Sequence, residues 1–382
     1  MNYTSPWMTP ELEDFRRTVR QFLEKEIVPH RQKWERQQHV DRDLWLKAGG
    51  LGMICASVPD EYGGMGGTYA YDAVIIEEQA RVNDSALGVV MGSTLAMPLF
   101  LKAASDEQKR HWVPKIASGA TILAFALTEP GAGSDAKAIR TTARREGDTY
   151  LINGQKTFIS NGYNADLAMV VARTGPKEMG TRGISMLLVE TRDQPGYRVG
   201  RILEKLGQKG QDTAELFFDD VAVPVENLMG GAEGRGFAQI MSGFEIERTT
   251  IGLIAIANAE RALELTIEHT KSRQAFGGPL FEQPVIRQKL AECATEVRIG
   301  RIFIDDCIRR VIEGTLDNAT ASMAKWWCTE LQGRVLDACV QLYGGYGYMS
   351  EYQVARMYAD ARVQRIYGGA NEIQKEVVAR SL

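Results

Sequence analysis

The spacing of apolar residues changes twice along the chain, and the first stretch has the period of helices. Over residues 1–120, apolar positions recur three or four residues apart, as in Val19 and Phe22. Thr9 followed by Pro10 is a typical helix start, because threonine caps free N–H groups and proline suits the first turn. This stretch is predicted to form an N-terminal helical domain.

The second stretch, residues 121–232, alternates short β-rich runs with turn dipeptides. The β-rich runs cover residues 139–145, 149–152, 156–160, 167–171, 184–189 and 216–218. Turns are predicted at Glu146-Gly147-Asp148, Asn153-Gly154 and Asn161-Gly162, and Asn-Gly between two runs is a strong hairpin signal. No helix of ordinary length fits between the runs, so an antiparallel sheet or barrel is predicted rather than a doubly wound parallel sheet.

The third stretch, residues 233–382, returns to helical spacing. Three or four long amphipathic segments are separated by glycine-rich breaks near residues 277–279, 314 and 344–347. They predict a C-terminal helical bundle. Helices, then a sheet, then helices again indicate an α+β fold class with three domains.

Composition argues against several classes of protein. The 382 residues are 44% hydrophobic, and a net charge of −4 leaves no basic excess for a nucleic-acid partner. No apolar run is long enough to cross a bilayer, and no signal or transit peptide is recognisable. The five cysteines form no C-x-x-C pair and the four histidines lack ligand spacing, so no disulfide framework and no metal site are expected. A cytoplasmic protein is expected rather than one of the mitochondrial matrix.

Glycine clusters in the chain do not fit a dinucleotide-binding loop. The pair Gly345-x-Gly347 lacks the third glycine of G-x-G-x-x-G, and it does not follow a strand and open a helix. Residues 127–135, LTEPGAGSD, are explained on composition alone as a strand that runs into a glycine-rich loop. A nucleotide cofactor would therefore have to be bound by another device.

Four segments in one order change this interpretation. They are LTEPGAGSD at 127–135, KTFISNG at 156–162, RQAFG at 273–277 and QLYGGYGY at 341–348. Together they resemble the acyl-CoA dehydrogenase family, and the resemblance covers essentially the whole chain. It implies an N-terminal α-helical domain, a central antiparallel β-barrel domain and a C-terminal four-helix bundle, in agreement with the three stretches above.

The resemblance also implies FAD, held without a Rossmann fold. The residues it places around the isoalloxazine ring are Phe125, Leu127, Thr128, Phe158 and Ser160. It lets the backbone at Gly133 and Ser134 approach the cofactor or the thioester closely. The adenosine end would meet a neighbouring subunit at Arg273, Phe276, Gln341 and Gly345. A dimer at least, a tetramer by family habit, and an electron-transfer flavoprotein as acceptor are therefore expected.

The family removes a proton from Cα of an acyl-CoA thioester and a hydride from Cβ, which is the dehydrogenation step of fatty-acid β-oxidation. Many members carry the base as the glutamate of a Y-E-G-T segment, but this chain has Gly368 at that position. The long-chain and isovaleryl-CoA dehydrogenases carry it instead on the first long helix of the C-terminal domain, just before an arginine. Glu247, which precedes Arg248, is therefore the predicted base.

Neighbouring residues complete this prediction and leave rivals open. The backbone N–H of Gly368 is expected to donate to the thioester oxygen, and Tyr367, Arg248 and Ser134 are expected substrate contacts. Glu245 is a rival base, although it lies about 200° around the helix from Glu247. Glu372, one helical turn beyond Gly368, is a second rival.

Two other functions stay open at this point. One is an oxidase-like member that passes its electrons to oxygen. The other is a scaffold that binds flavin or acyl-CoA without catalysis, prompted by Gly368 and by Ala370 in place of the Y-E-G-T threonine. The acyl chain cannot be deduced, because the pocket residues Met91, Thr94 and Leu95 are only loosely placed.

Overall fold

The computed structural model describes residues 3–382, and its first part is helical, as predicted. Its helices are α1 (Pro10–Phe22), α2 (Arg31–Gln37), α3 (Arg42–Gly50), α4 (Tyr69–Val82), α5 (Met97–Ala103) and α6 (Asp106–Ala117). The Thr9 hydroxyl accepts the N–H of Leu12, which confirms the predicted cap. Two π-helical segments, Leu23–Ile27 and Met91–Ala96, interrupt the α-helical pattern, and such segments are frequent at functional sites.

The central part is a curled sheet without a helix of ordinary length. Its strands are β1 (Leu123–Ala126), β2 (Thr142–Glu146), β3 (Thr149–Ser160), β4 (Leu167–Arg173), β5 (Ile184–Glu190), β6 (Tyr197–Ile202) and β7 (Thr213–Pro224). Neighbours follow the order β1-β4-β2-β3-β7-β6, and β5 pairs with β4. Most pairs are antiparallel, as predicted, but β4 pairs in parallel with β1 and β2, which makes the sheet mixed.

One predicted hairpin is wrong. Asn153-Gly154 lies inside the single strand β3, at a shift of register between Ile152 and Gly154 against β7. Gly154 has a φ of +147°, and a β-carbon there would lie 2.5 Å from the Thr141 hydroxyl oxygen. The glycine therefore serves a bulge and a close approach, not a turn. The turns predicted at residues 146–148 and 161–162 are present.

Both faces of β4 are buried, which explains its unbroken apolar sequence. Leu167 and Met169 pack with the N-terminal helices, whereas Ala168 and Val170 face the interior of the sheet. Phe125 of β1 also faces the helices. The first β-strand thus carries its aromatic side chain toward the boundary between sheet and helices.

The last part is helical again. Its helices are α7 (Gly236–Met241), α8 (Phe244–Ser272), α9 (Pro284–Ile312), α10 (Asn318–Tyr343), α11 (Gln353–Ala361) and α12 (Asn371–Ala379), with a short hairpin of β8 (Gln274–Ala275) and β9 (Gly278–Pro279). Helix α8 packs against α4, α9 and α10, so it joins the bundle to the N-terminal part. Within residues 3–382, no helix combines the length and apolarity needed to span a membrane.

Candidate active site

A cavity of about 100 Å³ lies where the sheet meets the helices on either side of it. The cavity is lined by residues of the π-helical segment Met91–Ala96, of α5, β1, β3 and α7, and of the start of α8. The lining residues are Met91, Leu95, Leu99, Leu123, Phe125, Phe158, Ser160, Ile240, Gly243, Phe244 and Glu247. Among these lining residues Glu247 alone carries a carboxylate, and most of the others are apolar. The cavity is therefore suited to an apolar group placed beside one acid–base residue.

The wall formed by β3 is strained. Phe158 has a φ of +58°, a conformation that costs a bulky residue about 1–3 kcal/mol. The strain sits at a register shift between Lys156 and Ile159, and it turns the Phe158 ring outward with 66% of its surface exposed. Ser160 follows on the same side and lines the cavity. The Phe158 ring is therefore an exposed, flat apolar face at the edge of the cavity.

A buried ion pair fixes the segment that follows β1. The Lys156 ammonium is fully buried and donates to the Leu127 carbonyl at 3.0 Å and to the Glu129 carboxylate at 2.8 Å. Burial favours the neutral acid in Glu129, but Lys156 outweighs it and the pKa of Glu129 falls. The N–H of Thr157 also donates to the Thr128 carbonyl at 2.9 Å. Leu127 and Thr128 are thereby held against β3, next to Phe158.

Glu247 lies in the first turn of α8 with its carboxyl group in the cavity. Burial raises its pKa to about 7, although Arg248 and Lys325 oppose that rise. Arg248 points away from the cavity: its guanidinium donates to Asn318 and, at 3.1 Å, to Ser322. It also lies 5.0 Å from the centre of the Phe244 ring, so it supports the cavity wall from behind. A direct contact of Arg248 with substrate stays a prediction.

Gly368 faces Glu247 across the cavity wall. A β-carbon built on Gly368 would lie 3.4 Å from the Glu247 carboxyl oxygen Oε1 and 2.2 Å from the Ile251 methyl Cδ1. The residue also has a φ of +60°, where a side chain is strained. A side chain at position 368 would therefore require the Ile251 methyl group to move and would be strained by the left-handed backbone.

The rival acids are placed less favourably. Glu245 also lies in the first turn of α8, but it does not line the cavity. Glu372 is exposed in the first turn of α12. Thr94 also differs from the expectation: it lines a neighbouring cavity of about 230 Å³, whereas Met91 and Leu95 line the site.

Other predicted residues lie outside the cavity. Gly133 and Ser134 are exposed in the loop after β1, and Tyr367 is partly buried beside Gly368. The remaining group, Arg273, Phe276, Gln341 and Gly345, is exposed at the far ends of α8 and α10. Since α8 has 29 residues, its two ends lie about 43 Å apart. One chain cannot bring this group to its own cavity.

Sequence reasoning missed several residues of the site. Lys325 of α10 is fully buried, and Ile251 fills the space beside Gly368. Phe244 and Ile240 complete the wall opposite β3. The only signal in the sequence was a lysine at an apolar helix position, and a solvated lysine is the usual explanation of that pattern. Residues 3–382 contain no cluster of His, Cys, Asp or Glu side chains placed to hold a metal ion.

Known proteins share both sequence and structure with this chain. Three family models match in order: the N-terminal domain of acyl-CoA dehydrogenase over residues 9–120, the middle domain over 124–221 and the C-terminal domain over 234–382. The mitochondrial long-chain specific acyl-CoA dehydrogenase of Sus scrofa is 43% identical over 369 residues, which cover 96% of this chain and 85% of that protein.

Solved structures agree with these matches. The crystal structure of an acyl-CoA dehydrogenase from Geobacillus kaustophilus superposes with a TM-score of 0.96, at 44% identity and over 99% of both chains. A glutaryl-CoA dehydrogenase from Mycobacterium smegmatis, solved in complex with FADH2, superposes with a TM-score of 0.90 at 28% identity, over 98% of this chain and 95% of that chain. The chain therefore belongs to the acyl-CoA dehydrogenase family, whose members are FAD-dependent oxidoreductases acting on CH–CH bonds.

Proposed function

We propose that this protein oxidises an acyl-CoA thioester to the trans-2-enoyl-CoA, with Glu247 as the base that removes the α-proton. The observation that carries the proposal is the position of Glu247, whose carboxyl group lines an otherwise largely apolar cavity beside the exposed ring of Phe158. Position 368 itself offers no carboxylate, and a side chain there would have to displace the Ile251 methyl group and adopt a left-handed backbone.

The environment of Glu247 suits a general base. A pKa of about 7 makes the carboxylate more basic than an exposed glutamate, while a large fraction is still ionised near neutral pH. Most of the lining side chains are apolar, so few polar groups hold water beside the carboxylate. Glu247 takes that proton on a carboxyl oxygen, and the electron pair of the broken C–H bond moves toward the thioester carbonyl.

The Gly368 backbone supports the negative charge that develops on the thioester oxygen. Gly368 lies in the turn that leads into α12, which begins at Asn371. Gln374 donates to the carbonyls of Gly368 and Gly369 at 3.0 and 3.2 Å, which holds the turn in place. The Gly368 N–H belongs to the preceding peptide, 367–368, and is positioned through this turn as a whole. An N–H aimed at the thioester oxygen would stabilise the transition state more than the ground state.

The residues of the β3 wall fit a flavin. Phe158 offers an exposed flat face at a strained position, and Ser160 and Thr128 offer short hydroxyls beside it. Phe125 and Leu127 would border the ring, and the exposed loop at Gly133 and Ser134 lets a ligand approach the backbone. When bound, FAD supplies the acceptor for the hydride that leaves Cβ.

The far end of α8 supports a shared cofactor site. Arg273 is exposed, lies 5.6 Å from the centre of the Tyr346 ring, and has a guanidinium suited to phosphate oxygens. Phe276 is 90% exposed, so its ring is free to meet a group bound by another copy. With Gln341 and Gly345 this group would meet the adenosine half of FAD bound by a neighbouring copy, so we propose a dimer or tetramer.

An electron-transfer flavoprotein is the proposed acceptor of the electrons, and a cytoplasmic location is proposed because all five cysteines are free and buried. Release of peroxide in air without an added acceptor would favour the oxidase-like alternative. A protein that binds acyl-CoA anaerobically without bleaching its flavin would favour the scaffold.

The decisive experiment compares Glu247→Gln with the matched control Glu245→Gln. Both variants are loaded with FAD and mixed anaerobically with a panel of acyl-CoA thioesters, straight and branched. We expect Glu247→Gln to bleach its flavin at least about 100-fold more slowly than wild type, since a positioned base contributes about 10²–10⁴. Glu245→Gln should bleach within about twofold of wild type. Normal bleaching by Glu247→Gln would refute the assignment.

A further inference from the structure

Lys325 is a buried cation on α10, and its charge acts on the proposed base Glu247 of α8. None of the Lys325 side chain is exposed. Its ammonium donates to the Gly369 carbonyl at 2.8 Å and to the Asn371 side-chain oxygen at 2.9 Å. A buried ammonium is costly unless it is hydrogen-bonded, so both acceptors are needed to keep it there.

One acceptor, Gly369, belongs to the turn that carries Gly368, and the other, Asn371, begins the helix that follows it. The Asn371 amide in turn donates to Thr329 at 3.0 Å and to Glu330 at 2.9 Å, which ties the start of α12 to α10. Gln374 donates to the carbonyls of Gly368 and Gly369 at 3.0 and 3.2 Å. The turn and the start of α12 are therefore held by the Lys325 ammonium, by the amides of Asn371 and Gln374 and, through Asn371, by the Glu330 carboxylate; the positive charge comes from Lys325.

The charged and titratable groups around Glu247 come from three elements. Arg248 follows it on α8, Lys325 approaches from α10, and Tyr367 lies in the turn. Arg248 is engaged by Asn318 and Ser322, behind the cavity wall. Around Lys325 lie Glu247, Glu372, Arg248 and Glu330. Burial lowers the pKa of Lys325 to about 8, so the group is still largely charged at pH 7.

We propose that Lys325 is a positioning residue for the dehydrogenation: it holds the turn that presents the Gly368 N–H, and it supplies the buried positive charge that favours the ionised form of Glu247. The inference rests on the proposed function of Glu247. It assigns to α10 a part in the chemistry, although no α10 side chain lines the cavity.

The test uses a 3-thia-acyl-CoA, in which sulfur replaces the β-carbon. This thioester keeps an acidic α-proton but has no β-hydrogen to give as hydride, so it isolates proton removal. Deprotonation is followed by the long-wavelength charge-transfer absorbance of the anion beside oxidised flavin. The absorbance is titrated with pH for the FAD-loaded wild type, for Lys325→Met, and for Gln374→Met, which perturbs the same turn without a change of charge.

For Lys325→Met we expect the midpoint of the titration to rise by about one pH unit, the lower end of the shift that a nearby opposite charge causes. At a pH below the wild-type midpoint this is an about tenfold loss of absorbance. Gln374→Met should lower the plateau and leave the midpoint in place. A purely structural role of Lys325 would lower the melting temperature without moving the midpoint, and that result would overturn the proposal.

Two further variants, Lys325→Gln and Glu247→Gln, complete the test. Should Lys325→Met not fold, Lys325→Gln retains a donor for Gly369 while it removes the charge, and the same rise of the midpoint is expected. The titration of Glu247→Gln separates the two ideas. If the charge-transfer absorbance persists in Glu247→Gln, Glu247 is not the base. If that absorbance is lost in Glu247→Gln but the midpoint is unmoved in both Lys325 variants, only the proposed role of Lys325 is refuted.

Discussion

Replacement of Gly368 by alanine tests whether α8 excludes a side chain from the position where many relatives carry their base. The added β-carbon would lie 2.2 Å from the Ile251 methyl Cδ1, far inside van der Waals contact. It would also have to adopt a φ of +60°. We therefore expect Gly368→Ala to destabilise the protein although it adds only one methyl group.

The size of the effect follows from these two contributions. A left-handed backbone costs a residue other than glycine about 1–2 kcal/mol, and an extra methyl group in a packed wall costs about 1–3 kcal/mol. Together they lower the free energy of unfolding by about 2–5 kcal/mol. For a chain of 382 residues the entropy of unfolding is about 0.8 kcal mol⁻¹ K⁻¹, so the melting temperature should fall by about 3–6 °C.

A matched variant isolates the steric part. Ile251→Val removes only Cδ1, at a cost of about 0.5–1.5 kcal/mol, and the next nearest Ile251 atom is 3.8 Å from the added β-carbon. In a double-mutant cycle followed by calorimetry, the double variant should be more stable than the sum of the single effects by about 1–3 kcal/mol. Additive effects, or an alanine variant as stable as wild type, would contradict the packing described for Gly368.

Three further predictions concern Glu247 of α8 and the wall formed by β3. Because the pKa of Glu247 is raised to about 7, its carboxylate is protonated as the pH falls through that value. The rate of flavin reduction should therefore rise with pH and reach half its maximum near pH 7. A rate that stays constant from pH 8 to pH 5 would contradict this prediction. Phe158→Gly relieves the strained left-handed backbone but removes the aromatic face. The melting temperature of the apoprotein should stay within about 1 °C of wild type, whereas FAD should dissociate more readily, as followed by flavin fluorescence. A markedly less stable apoprotein would argue against backbone strain at Phe158. Lys156→Met leaves the buried Glu129 carboxylate without its partner. The free energy of unfolding should fall by about 3–5 kcal/mol and the melting temperature by about 4–6 °C. The double variant with Glu129→Gln should recover part of that stability, and no recovery would argue against the ion pair.

Local rules predicted the features that depend on a few neighbouring residues. The cap at Thr9 and the turn at residues 146–148 follow from short-range hydrogen bonding, and both are present. The order of helices, sheet and helices follows from the period of the apolar residues. For Glu247, the resemblance identified the helix, and the structure brings its carboxyl group to the cavity.

Features that depend on contacts distant in sequence escaped prediction. Asn153-Gly154 has the ideal composition for a turn, yet the side chain of Thr141 on a neighbouring part of the sheet requires a glycine inside a strand. Ile251 looks like any apolar helix residue until the turn at Gly368 is packed against it. Lys325 gains its place only when the carbonyl of Gly369, 44 residues later in the chain, reaches its ammonium.

The contact between Ile251 and Gly368 also constrains how such a protein can diverge. A glutamate introduced at position 368 requires the Ile251 methyl group to move and a left-handed backbone, so this exchange alone costs stability. A smaller residue at position 251 removes the first of these two costs. We therefore expect the base to migrate from α8 to the turn before α12 more readily in a chain whose residue 251 has already become smaller.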